Sequence, residues 1–351
     1  MNIFETRTML EALKVSPPAQ SFLRDRYFAN VRTFTTQKID IDIVKGKRRI
    51  APFVHPKIGG KTVEREGYRT DSYEAPEVSP DMITTAEDIL NRQPGQPIYG
   101  GFDPNRAAAE QLGADLAELD EMITRREEVM CAEALFTGQI NIKGDGYDEV
   151  LRYWPTNPAE QPYKALAGNA VWDGSEANPL ADLREARRAI IQSSGVTPRD
   201  AIMGTDALEA FLSALGKMEV ELDYRRVDMG IIDPDHLPNG VTYWGYLKDS
   251  ALDIFTYDEW YLDDNGDEKP MVPSDLVLIG SPSVRTTMAY GLVTLMRGSD
   301  DNAAPEFYAE RRVPDSWVQR KNPAGRIVQV KSRPLPIIHQ IDGFRVLKVL
   351  A

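Results

Sequence analysis

The sequence from Asp103 to Gly138, DPNRAAAEQLGADLAELDEMITRREEVMCAEALFTG, decides the fold of this chain. Asp followed by Pro is typical of a helix N-terminus, and Gly is typical of the position just after a last turn. No proline interrupts the stretch, so we predict one helix of about 34 residues, about 50 Å long. Since the mean helix has only about 11–12 residues, we interpret this one as a strut that spans a distance.

One side of this predicted helix is apolar, with residues spaced by four, three, four and seven: Leu112, Leu116, Leu119, Ile123 and Met130. That spacing is typical of a narrow a/d stripe. The other faces are interpreted as charged and solvent-facing, and they carry Glu110, Asp115, Glu118, Asp120, Glu121, Glu127 and Glu128, with Arg125 and Arg126. Only one narrow side is therefore expected to pack. A coiled coil is the alternative, although the stripe covers few heptads.

The chain has 351 residues and a formal net charge of −13, enough length for two or three compact units. An excess of carboxylates repels phosphate, which argues against nucleic-acid binding along the whole chain. No apolar run reaches the length of a membrane span, and no secretory signal is apparent at the N-terminus. The single cysteine, Cys131, excludes an intrachain disulfide, fits a reducing cytoplasm and is expected to pack inside the long helix.

Residues 1–35 are predicted to form an N-terminal arm. A short amphipathic helix is indicated around Met9 and Leu13, and Ser16-Pro17-Pro18 ends it. An aromatic stretch follows, containing Phe22, Leu23, Tyr27, Phe28 and Phe34. These rings must be buried either on the chain's own body or on a neighbouring subunit, so Phe22 and Phe28 are candidate intersubunit contacts.

Residues 36–101 are predicted to form an extended loop. Strict alternation from Lys38 to Ile43 predicts a strand with one buried face, and alternation from Thr62 to Arg69 predicts a second. A turn at Gly59-Gly60 between them gives a β-hairpin. The hairpin is basic and poor in apolar residues, so we expect it to project and to contact a neighbour's acidic face. Its candidate intersubunit contacts are Lys57, Gly59, Gly60 and Lys61.

The remaining chain mixes helices and strands, which predicts an α+β unit. Helices are expected at 179–195 and 206–215. Strands are expected at 201–204, 241–247, 252–257, 276–280, 288–296, 327–330 and 344–350. The final strand needs a partner from earlier in the chain, so one layer of the fold is expected to be discontinuous.

No catalytic constellation is evident. The three histidines, His55, His236 and His339, are far apart and lack a second ligand at metal-binding spacing. Nucleophile-elbow, phosphate-loop and dinucleotide motifs are absent from the sequence. The best local cluster for a hydrolase, Asp233 and Asp235 beside His236, is interpreted as a surface turn because prolines interrupt it.

The segment from Asp263 to Glu268 imitates a calcium-binding loop. If Gly266 took the sixth position of such a loop, Tyr261 would occupy the first ligand position, which it cannot serve. We therefore predict an exposed hairpin turn at Asn265-Gly266. Neither a metal nor a cofactor is expected for this chain.

In this order, the arm, long hairpin, long helix, α+β unit and return strands resemble the major capsid protein family of lambda-type tailed bacteriophages, phage major capsid protein E. Blocks along nearly the whole chain carry the resemblance: Phe22 to Phe28, Phe34-Thr35-Thr36 with Ile39 and Ile41, Pro56, Gly59-Gly60, Val63 to Gly67, Tyr257 to Pro273, Leu278-Ile279-Gly280, Tyr290-Gly291, Pro305, Tyr308, Arg311, Trp317, Ser332, Pro334-Leu335-Pro336 and Val346 to Leu350. Their collinearity, rather than one motif, makes the resemblance specific.

The resemblance implies an α+β fold of the Hong Kong 97-like phage capsid type. Its expected parts are an N-terminal arm at 1–35, an extended loop at 36–101, a peripheral domain at 102–178 plus 298–351 with a spine helix at 104–137, and an axial domain at 179–297. The family implies pentamers and hexamers of an icosahedral head shell that encloses phage DNA. It implies no enzymatic site, assembly in the host bacterial cytoplasm and a final location in the virion.

The implied partners are further copies of the chain, a scaffold, a portal and a head decoration protein, with no sequence-specific nucleic acid and no membrane. A covalent cross-link at Lys57 or Lys61 is not expected for the lambda type. Three alternatives stay open: a cellular encapsulin-like shell protein that loads cargo enzymes, a soluble hydrolase, and a coiled-coil adaptor built on the long helix.

Overall fold

A computed structural model describes residues 5–15, 21–44, 50–51, 53–55, 62, 68–85, 87–88, 104–144, 146–221, 235–237, 240–264, 266–297, 304–321 and 323–351. Helices and strands both contribute, as predicted. The helices are α1 (Thr6–Val15), α2 (Phe22–Tyr27), α3 (Pro104–Phe136), α4 (Pro179–Ser193) and α5 (Thr205–Glu221).

The long predicted helix is confirmed as α3, a single helix of 33 residues. It ends as its sequence predicts, because Gly138 takes a φ of +65°, in the left-handed region that favours glycine. Four residues of the predicted stripe are buried against Met9 of α1 and against two strands of a small sheet. They are Leu112, Leu116, Leu119 and Ile123. The first half of α3 therefore packs by one face, as expected.

The last three turns of α3 differ from the prediction, because they are buried on most sides, with Arg126 and Glu133 on the remaining edge. The buried side chains include Val129, Met130, Cys131, Ala132, Ala134, Leu135 and Phe136. Glu127 and Glu128, which were assigned to the solvent-facing side, are only 0% and 2% exposed. The assignment was wrong because strands and the arm surround this end of the helix. The expectation that Cys131 packs is confirmed.

A seven-stranded sheet forms the largest layer. Its strands in spatial order are β7 (Tyr163–Ala165), β21 (Arg345–Lys348), β14 (Leu276–Gly280), β8 (Asp200–Met203), β11 (Leu252–Tyr257), β10 (Val241–Leu247) and β9 (Asp235–His236). Alternate residues divide between its faces: Ala201 and Met203 face a core that contains α4 and α5, whereas Ile202 faces the core around the end of α3.

The last strand, β21, finds its partners in β14 and β7, one of which precedes residue 179. The predicted discontinuous layer is therefore confirmed. The sheet also crosses the expected domain boundaries near 178 and 298, because β7 and β21 were both assigned to the peripheral part.

A three-stranded sheet packs on the first half of α3. It contains β18 (Val313–Gln319), β19 (Gly325–Lys331) and β4 (Asp81–Thr84). The hairpin of β16 (Val293–Arg297) and β17 (Ala304–Tyr308) lies on the opposite side, where Val293 and Leu295 contact Val313. The third sheet contains β1 (Val31–Thr33), β15 (Thr286–Tyr290) and β20 (Pro334–Ile338).

One predicted strand, 288–296, is instead two strands in two sheets, β15 and β16. Gly291 separates them, and its amide N–H donates to the carbonyl oxygen of Arg333 at 2.9 Å. A Cβ on Gly291 would lie 3.1 Å from that of Ala75. The close approach of three chain segments at this glycine therefore redirects the strand.

The extended loop is built on two antiparallel strands, β2 (Lys38–Val44) and β3 (Tyr68–Glu74). The first strand is confirmed. The second was predicted at 62–69 and is described from Tyr68 to Glu74, where Tyr73 pairs with the buried Ile39 at the base of the ladder. Residues 63–67 lie outside the described residues. The turn proposed at Gly59-Gly60 lies outside the described residues.

Two further hairpins complete the fold: β5 (Gln139–Gly144) with β6 (Tyr147–Arg152), and β12 (Trp260–Leu262) with β13 (Glu268–Pro270). The second confirms the hairpin predicted around Asn265-Gly266, and Gly266 has a φ of +85°. Asn265 itself lies outside the described residues.

Replacing Gly138 with Ala is expected to lower the free energy of unfolding by more than about 1 kcal/mol. Alanine at this position would have to adopt a left-handed backbone conformation, and its Cβ would lie 2.0 Å from the indole of Trp154. The matched control is Gly113→Ala in α3, where nothing lies within 4 Å of the new Cβ. That change should stabilise the chain by about 0.5–1 kcal/mol in urea unfolding. Equal effects of the two changes would contradict the assignment of the helix end.

Candidate functional site

Glu127 lies at the centre of a buried ionic cluster. Its Oε1 accepts a hydrogen bond from Nη1 of Arg312 at 2.6 Å. Its Oε2 accepts from Nη1 of Arg24 at 2.9 Å and from Nη2 of Arg311 at 3.2 Å. We call Arg24, Glu127, Glu128, Arg311 and Arg312 the anchor cluster, because they join the arm, the spine helix α3 and the start of β18.

Arg312 extends the anchor cluster along α3. Its Nε donates to Oδ1 of Asp120 at 2.6 Å, and its Nη2 donates to Oγ1 of Thr124 at 3.2 Å. Its Nη1 also reaches Oγ of Ser332 at 3.2 Å, in the segment that leads to β20. One buried guanidinium thus connects two turns of the helix with two return segments of the chain.

Glu128 caps a helix that lies more than one hundred residues away in the sequence. Its Oε1 accepts from the backbone N–H of Leu23 at 2.6 Å, and its Oε2 accepts from the backbone N–H of Arg24 at 2.9 Å. These N–H groups belong to the first turn of α2, where the N-cap residue Ser21 makes no side-chain capping bond. The carboxylate also compensates the positive end of the α2 dipole.

A second ion pair holds the other end of α2. Arg26 donates from Nε and Nη2 to the two carboxylate oxygens of Asp200 at 2.7 and 2.8 Å, in a bidentate arrangement. The hydroxyl of Tyr27 donates to Oδ2 of Asp200 at 3.0 Å. Since Asp200 begins β8, this pair ties the arm to the seven-stranded sheet. We call residues 21–28 the arm root.

Aromatic contacts add to the polar ones. Phe22 packs on Phe255 and Tyr257, with ring centroids 5.8 and 5.5 Å apart. Tyr27 meets the ring of Phe344 edge-on at 5.5 Å. The arm root is therefore part of the chain's own core.

The pKa values of the two neighbouring glutamates, Glu127 and Glu128, are shifted in opposite directions. Burial alone would raise the pKa of Glu127, but the guanidiniums of Arg312, Arg311 and Arg24 outweigh it and lower the pKa below its usual value. Burial raises the pKa of Glu128, and its hydrogen bonds from Arg24 and Leu23 do not fully compensate. Glu127 is thus the fixed anion of the cluster.

The thiol and the imidazole nearest the core are held by packing and by hydrogen bonds. Burial and the nearby carboxylates raise the pKa of the Cys131 thiol well above its usual value, so it stays protonated. His339 contacts Oγ1 of Thr287 through Nε2 at 3.0 Å. Within the described residues, no group of three or more His, Cys, Asp or Glu side chains is placed to hold a metal ion. None of the described helices is both long and apolar enough to cross a membrane.

The candidate contacts chosen from the sequence divide into two sets. Phe22 is half-buried against this chain's own sheet, and Phe28 is 1% exposed and enclosed by the core around the end of α3. The role of either residue as an intersubunit contact stays a prediction. Lys57, Gly59, Gly60 and Lys61 lie outside the described residues, as does Asp233. Their predicted roles stay predictions.

The anchor cluster was missed by sequence reasoning, although one signal was present. The apolar stripe of α3 steps from Ile123 to Met130, and the turn skipped by that seven-residue step holds Arg126 and Glu127 on the same side of the helix. A carboxylate on a buried stripe requires a cationic partner. Arg311-Arg312 is an adjacent pair far along the chain, and nothing in the sequence alone joins it to Glu127.

Comparisons with known proteins agree with this architecture. The family model described as phage major capsid protein E matches residues 5–349. The major capsid protein of Escherichia phage lambda is 22% identical over 347 residues, which cover 98% of each chain. That of Enterobacteria phage P21 is 21% identical over 352 residues, with 99% of this chain and 100% of the relative covered. The crystal structure of a putative capsid protein from an Escherichia coli CFT073 prophage superimposes with a TM-score of 0.68 at 21% identity, covering 99% of both chains.

The fold, with its anchored arm, paired loop strands and spine helix, is that of the Hong Kong 97-like capsid proteins. The chain belongs to the phage major capsid protein E family. Its function is that of a major capsid protein, a structural component of the bacteriophage head.

Replacing Glu127 with Gln is expected to lower the free energy of unfolding by about 3 kcal/mol, because the buried guanidiniums of Arg24 and Arg312 and the partly buried one of Arg311 lose their shared anion. The control is Glu121→Gln on the exposed side of α3, where the pair with Arg125 is worth less than about 0.5 kcal/mol. Urea unfolding of the unassembled chain measures both. A cost for Glu127→Gln no larger than that of the control would contradict the role of the cluster.

Acid should weaken the arm root through Glu127. Its pKa is lower in the folded chain than its ordinary value of 4.5, so its stabilisation is present above about pH 4.5 and is lost as the pH falls further. Glu128 has the opposite sign, since its folded pKa is raised and protonation favours the folded chain. The unfolding free energies of the native chain and Glu127→Gln should therefore converge below pH 4.5. A constant difference from pH 7 to pH 3 would contradict this assignment.

Proposed function

We propose that this chain assembles with copies of itself into pentamers and hexamers, which close into the icosahedral head shell around phage DNA. Family membership supports the shell role. In this proposal the arm, the extended loop and the two domains have the residue boundaries that the resemblance implies. It places the product of assembly in the virion.

The observation that carries the proposal is the isolated ladder of β2 and β3. Within the described part of the chain no third strand joins it, and it makes a sheet of two strands only. Its base is fixed, since Ile39 is buried and the hydroxyl of Tyr73 donates to the carbonyl oxygen of Arg152 at 3.0 Å. Seven residues of each strand then extend over about 23 Å.

A two-stranded hairpin is only marginally stable in water. A surface supplied by a second subunit would stabilise the ladder and bury its polar backbone edges. The basic residues that follow β2 suit an acidic surface, and the chain carries a net charge of −13. These features support an intersubunit role for the loop.

The same arrangement supports a structural rather than an enzymatic role. The relatives are structural capsid proteins, and the buried carboxylates of the anchor cluster are all engaged by arginines or backbone N–H groups. We propose that the chain has no catalytic activity and needs no cofactor. Scaffold, portal and decoration proteins are its proposed partners beside its own copies, and no sequence-specific binding to nucleic acid is proposed.

A cellular encapsulin-like shell protein is the second candidate, because it would share the fold. Family membership in phage major capsid protein E favours the phage head. Electron microscopy of the purified chain, alone and coexpressed with a scaffold, tests the shell role. Rings, tubes or closed shells are expected. A stable monomer that never assembles under either condition would overturn the proposal.

Deleting residues 57–61 is expected to spare folding and to abolish most assembly, because the loop is proposed to contact a neighbour. Circular dichroism and urea unfolding should match those of the native chain within about 0.5 kcal/mol. Sedimentation should show capsomers or monomers in place of shells. A length-matched variant with five glycine and serine residues at 57–61 separates loop chemistry from loop length. Normal shells from the deletion variant would show that this loop makes no required contact.

A further inference from the structure

Among the residues that the structure describes, the outer face of the three-stranded sheet is only partly covered. Its inner face packs on α3, and the β16–β17 hairpin covers the outer face at the Val313 end. At the other end, Trp317, Ile327 and Ile83 are direct cross-strand partners and form an apolar row across all three strands. Trp317 is 40% exposed and Ile83 is 41% exposed.

The hairpin tip beside this row is basic. From Ser316 to Val330 the sequence contains Arg320, Lys321 and Arg326 and no carboxylate, although the whole chain is strongly acidic. Arg320 and Lys321 are exposed, and neither forms an ion pair with another described residue. We call Ile83, Trp317, Arg320, Lys321 and Ile327 the basic tip.

A surface with the opposite character lies on the β12–β13 hairpin. Trp260 is 56% exposed and Leu262 is 66% exposed. Six carboxylates surround them: Asp258, Glu259, Asp263, Asp264, Asp267 and Glu268. Lys269 pairs with Asp263 at 2.6 Å, and Arg126 pairs with Asp264, which leaves an excess of negative charge. We call residues 258–269 the acidic hairpin.

The two surfaces lie at different levels of the spine helix. Thr84, the cross-strand partner of Arg326, donates to Oδ2 of Asp115 at 3.0 Å, so the basic tip is beside that part of α3. The acidic hairpin is beside Arg126. Eleven residues of helix separate these positions by about 16 Å. Within one chain the two surfaces are therefore held apart, whereas two copies placed head to tail can bring them together.

We propose that the acidic hairpin of one copy docks on the basic tip of the next copy. The contact rests on the proposed function, because it is one of the interfaces that the shell requires. Each surface has an exposed tryptophan and a second apolar side chain, with charged residues around them. This is the arrangement of an interface with an apolar centre and a polar rim. A contact between two different surfaces of one chain is heterologous, and such contacts close into rings.

Packaged DNA is the other macromolecule that a basic tip could meet. Two exposed cations and one partly buried one would release few counterions, and the rest of the chain repels phosphate. The acidic hairpin offers a complementary charge on the same molecule, together with apolar side chains that DNA lacks on its outer surface. A second copy is therefore the occupant that the chemistry favours.

Charge reversal with compensation tests the contact. Arg320→Glu with Lys321→Glu should block shell formation, and Asp267→Lys with Glu268→Lys should block it as well. Combining all four substitutions should restore assembly, because the charges are again opposite. The control, Arg188→Glu with Lys248→Glu, changes two exposed cations elsewhere by the same amount and should assemble normally. Sedimentation velocity and electron microscopy supply the readout.

Shells from either reversed pair, or failure of the four-fold variant while both pairs fold, would overturn the docking proposal and leave the proposed function standing. Loss of assembly in the control pair would also overturn it, since any change of charge would then suffice. Intact shells that retain less double-stranded DNA would assign the tip to DNA instead. If the native chain itself never assembles, the proposed function fails rather than this contact.

Disulfide trapping gives an independent result. Ile83→Cys and Leu262→Cys chains, assembled together and treated with a mild oxidant, should give covalent dimers, whereas neither variant alone should. The native Cys131 is fully buried and should not react. A mixture of Ile83→Cys with Tyr246→Cys, at another exposed position, is the control. No dimers from the first mixture, or equal yields from both mixtures, would contradict the docking proposal.

Discussion

Glu127 is shielded from solvent and shared by three arginine side chains from two distant parts of the sequence. A buried carboxylate is tolerated only with such partners, and each buried guanidinium equally needs its anion. The pairing therefore determines the position of the arm root and of the segment entering β18 relative to the spine helix. Glu128, the next residue, orients α2 through its first backbone N–H groups. Glu127 and Glu128 together thus position the arm root and the segment entering β18 against the spine helix.

The body and the projecting parts of the subunit differ in what stabilises them. Side chains around the end of α3 form a continuous core with the arm root, the seven-stranded sheet and the β15–β20 pair. The β2–β3 ladder, by contrast, meets the body at its base in the contacts that the structure describes, through Ile39 and Tyr73. Such a subunit can keep a rigid body while its extended parts adapt to neighbours at different curvature. Stability not supplied within one chain is then supplied by assembly.

Much of the fold could be predicted from local signals. Asp103-Pro104 and Gly138 delimit α3, Asn178-Pro179 begins α4, and alternation identifies β2. Local signals could not show that the last turns of α3 are buried on most sides, because their surroundings come from strands remote in sequence. They also could not show that 288–296 divides at Gly291, since that depends on Ala75 and Arg333. The anchor cluster joins residues more than one hundred positions apart, and the gap in the helical stripe, which holds both Arg126 and Glu127, did not by itself single out Glu127.

Hydrogen exchange measured on the unassembled chain and on shells tests the division between an anchored body and projecting parts most directly. The account predicts that amides of residues 21–28 and 127–136 are already protected before assembly and change little. Amides of residues 38–44 and 68–74 should gain strong protection only in the shell, since a neighbour then covers the ladder. Free exchange of residues 21–28 until assembly, or a ladder equally protected in both states, would contradict it.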